Sequence, residues 1–192
     1  MKLESPVDKL LRKYRTNLVL PYVTSNMDIC DLGCGANPVL LKYLSVVEAG
    51  RFVGMDNLVS NSFCGKIELR QADLNKMPLS MDDEEFDLIT MLAVLEHLDE
   101  YSDVINECFR GLKRGGRIIL TTPSPRSKPL LEFLANLRII SYAGIYDHKK
   151  YFKKEEIFGL LQQHGFTDIK VWHVAFGLNT VAVATKVAGN KY

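Results

Sequence analysis

The stretch Asp31-Leu32-Gly33-Cys34-Gly35-Ala36-Asn37-Pro38 constrains the fold of this chain more than any other. It follows apolar Ile29-Cys30 and precedes Val39-Leu40-Leu41-Lys42-Tyr43-Leu44. That pattern reads as a buried strand ending in a tight glycine turn that opens a helix, with Asn37 as N-cap and Pro38 at the first helical position. Gly33 and Gly35 let main chain approach a ligand where a Cβ would collide. A strand, glycine turn and helix in this order form the nucleotide-type corner of an open α/β sheet.

Two residues decide which ligand suits that corner. Asp31 places a carboxylate two residues before the first glycine, where a pyrophosphate would meet like charge and an ammonium or sulfonium would be attracted. Pro38 stands where a dinucleotide fingerprint has its third glycine. S-adenosyl-L-methionine has the required chemistry: an ammonium, a positive sulfur and no phosphate. Asp31-Leu32-Gly33-Cys34-Gly35 resembles motif I of the class I S-adenosylmethionine-dependent methyltransferases, commonly Asp-x-Gly-x-Gly. The resemblance implies an α/β fold: a single-domain, doubly wound Rossmann-like sheet of about seven strands, mostly parallel with an antiparallel last strand.

Further along, Arg51-Phe52-Val53-Gly54-Met55-Asp56 reads as a second buried strand. It ends in an acid about twenty residues beyond the turn, where a ribose-binding carboxylate belongs in such folds. The paired oxygens of Asp56 suit a vicinal diol, and the adjoining Asn57 is grouped with it. Residues 66–70 form a short third strand, after which the resemblance gives Asp73 the adenine amino group and Leu74 a ring nitrogen through its amide. The acidic run Asp82-Asp83-Glu84-Glu85 reads as a solvated loop. Phe86-Asp87-Leu88-Ile89-Thr90-Met91 is the fourth strand, and its end, with Met91 and Leu92, should border cofactor and acceptor. This strand and the following Leu95-Glu96-His97-Leu98 resemble small-molecule methyltransferases of the ubiquinone-biosynthesis type. No Asn-Pro-Pro-Tyr or Asp-Pro-Pro-Tyr follows, which argues against methylation of adenine, cytosine or glutamine amino groups.

The remaining segments complete the sheet. A helix over 101–114 stops at Gly115-Gly116 and a fifth strand runs over 117–122. A broad apolar helix over 129–140 suits a lid, a shallow membrane contact, a core element or a dimer face. A helix over 154–164 ends at Gly165, and strands over 166–174 and 179–186 follow. At the other end, Ser5-Pro6 with Val7, Leu10, Leu11, Tyr14 and Leu18 patterns an amphipathic helix that ends before Pro21. The expected division is an N-terminal helix packing on the domain over 1–26 and the methyltransferase domain over 27–192.

With 192 residues, one domain is expected. Its formal net charge of +1 offers no footprint for nucleic acid, so such a partner is disfavoured. The sequence shows no transmembrane segment and no signal-peptide core, which gives a cytoplasmic expectation. Cys30, Cys34, Cys64 and Cys108 form no Cys-x-x-Cys pair and read as buried thiols.

Methyl transfer from a sulfonium depends mainly on positioning, so few groups are obligatory. A hydroxyl acceptor needs a base, and His97 and His148 are the candidates; His164 and His173 look structural. Glu96-His97 is similar to the end of a Glu-x-x-Glu-His metal motif of some family members, but Ala93 replaces the first glutamate, so no metal is expected. Lys149, Lys150, Lys153 and Lys154 could greet an acidic acceptor or simply be solvated. The expected function is transfer of a methyl group to oxygen of a small molecule, lipid or glycan precursor by a monomer or homodimer. The alternatives are a non-catalytic cofactor-binding subunit and a dinucleotide-dependent oxidoreductase.

Overall fold

The computed structural model describes residues 6–48, 50–131 and 148–187. Helix α1 (Pro6–Val19) runs into a short 3-10 turn at Leu20–Tyr22, which carries Pro21 at its start. Strand β1 (Met27–Leu32), helix α2 (Val39–Val47) and strand β2 (Gly50–Asp56) form the first βαβ unit. Strands β3 (Ser62–Cys64), β4 (Ile67–Gln71) and β5 (Phe86–Leu92) follow, then α3 (Tyr101–Gly111) and β6 (Leu112–Pro123). Helix α4 (Lys154–Gln163), β7 (Phe166–Val174) and β8 (Asn179–Lys186) close the fold.

These strands make one eight-stranded sheet in the order β3-β4-β2-β1-β5-β6-β8-β7. The pairs from β4 to β6 are parallel; β8 runs antiparallel to both β6 and β7, and β3 antiparallel to β4. Residues alternate between the two faces along each strand. Ile29, Phe52, Leu88 and Ile119 point to one side, where they pack with Val19, Leu40, Leu41 and Leu44 from α1 and α2. Cys30, Val53, Ile89 and Ile118 point to the other, where Val104, Ile105 and Cys108 of α3 meet Ile157 and Leu161 of α4. A sheet buried on both faces explains why its central strands read as continuous apolar runs.

Several local expectations need correction. Pro38, not Asn37, occupies the N-cap position of α2, without a side-chain cap, and the Asn37 Oδ1 instead accepts a hydrogen bond from Lys42 Nζ at 2.7 Å. The eighth strand, β3, escaped notice because it is only three residues long and wholly exposed. Cys64 in it is exposed, unlike the buried Cys30, Cys34 and Cys108. Helix α3 stops at Gly111 because the Glu84 and Glu85 amides take the Arg110 and Gly111 carbonyls. Leu112 already pairs with Phe86, and the register then shifts so that Leu88 faces Arg117; Gly115-Gly116 lies in that irregularity, with Gly115 at φ +79°. The helix expected over 129–140 lies outside the described residues except for a helical turn at 128–131.

The acidic run is not uniformly solvated either. The Glu85 side chain is only 7% exposed and is ion-paired with Arg51 and Arg70 while accepting the Asp82 amide. Burial alone would raise its carboxyl, but hydrogen bonds from Arg70, the Asp82 amide and Arg51 hold it below the ordinary range. Glu85→Gln should therefore lower stability by about 2 kcal/mol at neutral pH, measured by urea unfolding. A lowered folded-state value makes this contribution present above the unfolded value and lost as pH falls, so the two proteins should converge in acid.

Candidate cofactor and acceptor site

Parallel pairing sets the ends of β1, β2 and β5 side by side: Leu32 is opposite Met55 on one flank and Met91 on the other. The connection order reverses between β1 and β5, which opens a crevice at their carboxyl ends. Asp31 sits beside that crevice, 6% exposed, its Oδ1 accepting the Thr90 hydroxyl at 2.6 Å. Burial lifts its pKa to about 7, the Thr90 bond opposes the rise, and the Asp56 charge adds to it.

Both glycines of the turn have positive φ, +75° at Gly33 and +69° at Gly35. At Gly33 the missing side chain makes room for protein, since a Cβ would fall 2.3 Å from a Val94 methyl. At Gly35 nothing lies within 4 Å of that position, so this is the open side of the turn. Gly33 N–H donates to the Met55 carbonyl at 2.8 Å and Gly35 N–H to Asp56 Oδ2 at 2.8 Å, which ties the turn to the end of β2. The other Asp56 oxygen accepts the Leu58 amide at 2.9 Å. The Cys34 thiol between the glycines is pushed up to about 12 by burial, reinforced by Asp31 and Asp56, and so stays protonated.

The other expected cofactor residues are distributed along the same edge. Asn57 is exposed beside Asp56, and Leu74 is buried. Asp73 turns its loop, with Oδ1 accepting the Asn75 amide at 3.1 Å and Oδ2 at 3.2 Å from Lys76 Nζ. Leu92 is partly exposed, whereas the Met91 side chain is fully buried in the core, its sulfur accepting the Cys108 thiol at 3.8 Å. Only main chain of Met91 can serve a ligand.

His97 ends the short turn Leu95–His97 beyond β5, and the distant His148 is brought to it. The two imidazoles meet edge to face with centroids 4.8 Å apart. The main chain makes this approach: the Lys149 and Lys150 amides both donate to the Glu96 carbonyl, at 2.8 and 3.4 Å. His148 Nδ1 lies 3.0 Å from the Tyr151 hydroxyl. The lysine cluster is partly spoken for, since Lys149 pairs with Asp99 at 2.5 Å and Lys150 with Glu156 at 3.0 Å. His164 bonds Ser102 and His173 bonds Thr180, each away from this pair.

Glu96, Thr90 and Tyr151 are the members that sequence reasoning did not place in the site. Glu96 is 1% exposed, and neither carboxylate oxygen has a hydrogen-bond partner among the described residues. Burial raises its pKa, against the charges of His97 and Arg15. Ligand-type atoms of Glu96, His97 and His148 lie within 4.8 Å of one another, the one such group among the described residues. Position 93, an alanine at φ +60°, adds no carboxylate.

The sheet order, the acid-flanked glycine turn and the strand-end acids define the class: a Rossmann-like fold of the S-adenosylmethionine-dependent methyltransferase type. A family model described as a methyltransferase domain matches residues 5–171, and the chain belongs to that family, whose cofactor is S-adenosyl-L-methionine. That membership sets aside the dinucleotide-dependent oxidoreductase. The chain is 32% identical over 104 residues to a ubiquinone biosynthesis O-methyltransferase of Pseudomonas fluorescens, covering 53% of this chain and 44% of the relative. It thus spans about half the length of the curated relatives that it matches. An S-adenosylmethionine-dependent methyltransferase from Mesorhizobium loti superposes with a TM-score of 0.69 at 16% identity, covering 91% of this chain and 97% of that one. A chain from the complex of the Haloferax volcanii Trm112 methyltransferase activator with a putative methyltransferase gives 0.73 at 14% identity, covering 95% and 90%. Among the described residues no helix is long and apolar enough to cross a membrane.

Proposed function

We propose that the chain transfers a methyl group from S-adenosyl-L-methionine to a hydroxyl of a small molecule, lipid or glycan precursor. The observation that carries this reading is the pair of carboxylates flanking the glycine turn, Asp31 and Asp56, with open space at Gly35, where no Cβ fills it. Such a cradle fits a cationic amino acid end and a ribose diol. Asp31 faces the ammonium, Gly33, Cys34 and Gly35 offer main chain, and Asp56 accepts ribose hydroxyls through its remaining lone pairs, with Asn57 beside it. Asp73 and Leu74 take the adenine edge, and Met91 and Leu92 border it by main chain and side chain. When bound, the cofactor supplies a methyl group made electrophilic by its positive sulfur. Residues 27–192 form the domain that does this, with 1–26 as its leading segment.

Oxygen as acceptor is supported by the His97–His148 pair beyond β5, together with the relative's name. As the acceptor oxygen attacks the methyl carbon, an imidazole nitrogen of the pair takes the hydroxyl proton. The test is production of S-adenosylhomocysteine on incubation with catechol, compared with ethanolamine as a nitrogen acceptor. Turnover on catechol alone supports the reading, and turnover confined to ethanolamine overturns it. Each of His97→Gln and His148→Gln should lower turnover about tenfold with cofactor affinity unchanged, because the other imidazole remains within reach.

A further inference from the structure

The least satisfied group in the described structure lies directly behind the proposed base pair. Glu96 has both carboxylate oxygens buried and without a hydrogen-bond partner among the described residues. A buried carboxylate without hydrogen bonds costs free energy that a fold does not retain without compensation. The groups facing it come from four parts of the chain: Arg15 from α1, His97 next to it, His148 from the loop before α4, and the Thr122 hydroxyl of β6. Its main-chain carbonyl holds the His148 loop through Lys149 and Lys150. The same residue therefore fixes where His148 sits and sets its buried carboxyl group close to both imidazoles. Around them, Tyr151 bonds His148, Lys128 lies over the Tyr151 ring at 5.9 Å, and Lys149 is held by Asp99.

We propose that Glu96 is a positioning residue whose main-chain carbonyl holds the His148 loop against His97 and whose buried carboxyl group, beside the pair, retains on it the proton taken from the acceptor hydroxyl. This rests on the base role given to the pair above. In the step, the acceptor O–H bond breaks and an O–CH3 bond forms. The sulfur–methyl bond breaks with its electron pair left on sulfur, and the proton resides on imidazole beside Glu96 until it passes to solvent. The carboxylate thus acts on the acceptor only through the imidazoles. A shared ion is the rival occupant of the same three side chains.

The test needs no acceptor. The C2–H resonances of the four histidines are titrated by NMR in chelator-treated wild type and Glu96→Gln, assigned through His97→Asn and His148→Asn. At least one of the pair should titrate about one pH unit lower in Glu96→Gln, a tenfold loss of proton affinity, while His164 and His173 stay in place. If Glu96→Gln does not fold, the carbon-labelled Glu96 carboxyl is titrated in wild type and His148→Asn. Reciprocity then requires its midpoint to rise when the imidazole is lost. Unchanged midpoints overturn the proposal, as does stoichiometric broadening of both histidines by manganese chloride, which would make the cluster a cation site. If the midpoints move but His97→Gln and His148→Gln methylate catechol normally, the base role falls with the proton-retaining step, while the coupling stands.

Discussion

Asp56→Ala should bind S-adenosyl-L-methionine at least about 100-fold more weakly than the wild type, measured by calorimetric titration. The substitution removes two things together. The ribose loses an acceptor for its hydroxyls, and hydrogen bonds to a charged group each contribute about 1.5 to 3 kcal/mol. The glycine turn loses its tie, because Asp56 Oδ2 accepts the Gly35 amide and Oδ1 the Leu58 amide. Asp56→Asn keeps one acceptor oxygen and should fall in between, about tenfold weaker. S-adenosylhomocysteine, which shares the ribose but lacks the sulfonium, should lose the same factor. Retained affinity in Asp56→Ala, with an unchanged circular dichroism spectrum, would mean that the diol is held elsewhere.

That pairing of turn and strand end shows how far the sequence could be read. Asp31, Gly33, Gly35 and Asp56 were legible because each chemical requirement falls on a single residue at a short spacing: a charge, two positive φ values and an acid at a strand end. What could not be read were relations set by register and long-range contact. Thr90 meets Asp31 only because β5 pairs beside β1 with these two residues opposite each other. His148 reaches His97 because two amides after it bond the Glu96 carbonyl across the fold. Glu85 looked like one of four solvated acids, yet Arg51 and Arg70 from neighbouring strands close over it. The place of Met91 at the end of β5 is legible, but not that pleat alternation turns its side chain into the core and leaves only its main chain at the edge. The end of α3 was misplaced for a similar reason: glycines look like a helix stop, and here they serve a strand irregularity after the chain has already paired.

The acid at the head of the turn carries the second large effect, in which stability and affinity move in opposite directions with pH. Asp31 has a folded-state pKa raised from 3.8 to about 7, chiefly by burial. The folded chain therefore prefers the proton more than the unfolded chain does, and the wild type should lose stability as pH rises from about 4 to about 7. A shift of that size corresponds to about 4 kcal/mol between the two protonation states. Asp31→Asn cannot ionise but can still accept the Thr90 hydroxyl bond. It should match the wild type in urea unfolding near pH 4 and exceed it by several kcal/mol at pH 8. Cofactor affinity should run the other way, because the ammonium and sulfonium favour the ionised carboxylate. Wild-type affinity should be level above pH 7.5 and fall about tenfold per pH unit below 7 until Asp31 is protonated throughout, as the free site must give up its proton to bind. Asp31→Asn should bind weakly and with no such acid limb. An unchanged acid limb in the variant would assign the titration to another group. Equal stability of the two proteins at pH 8 would mean that another contact compensates for the buried charge. If both effects appear, the fold keeps a destabilising carboxylate whose charge is neutralised when the cationic end of the cofactor arrives.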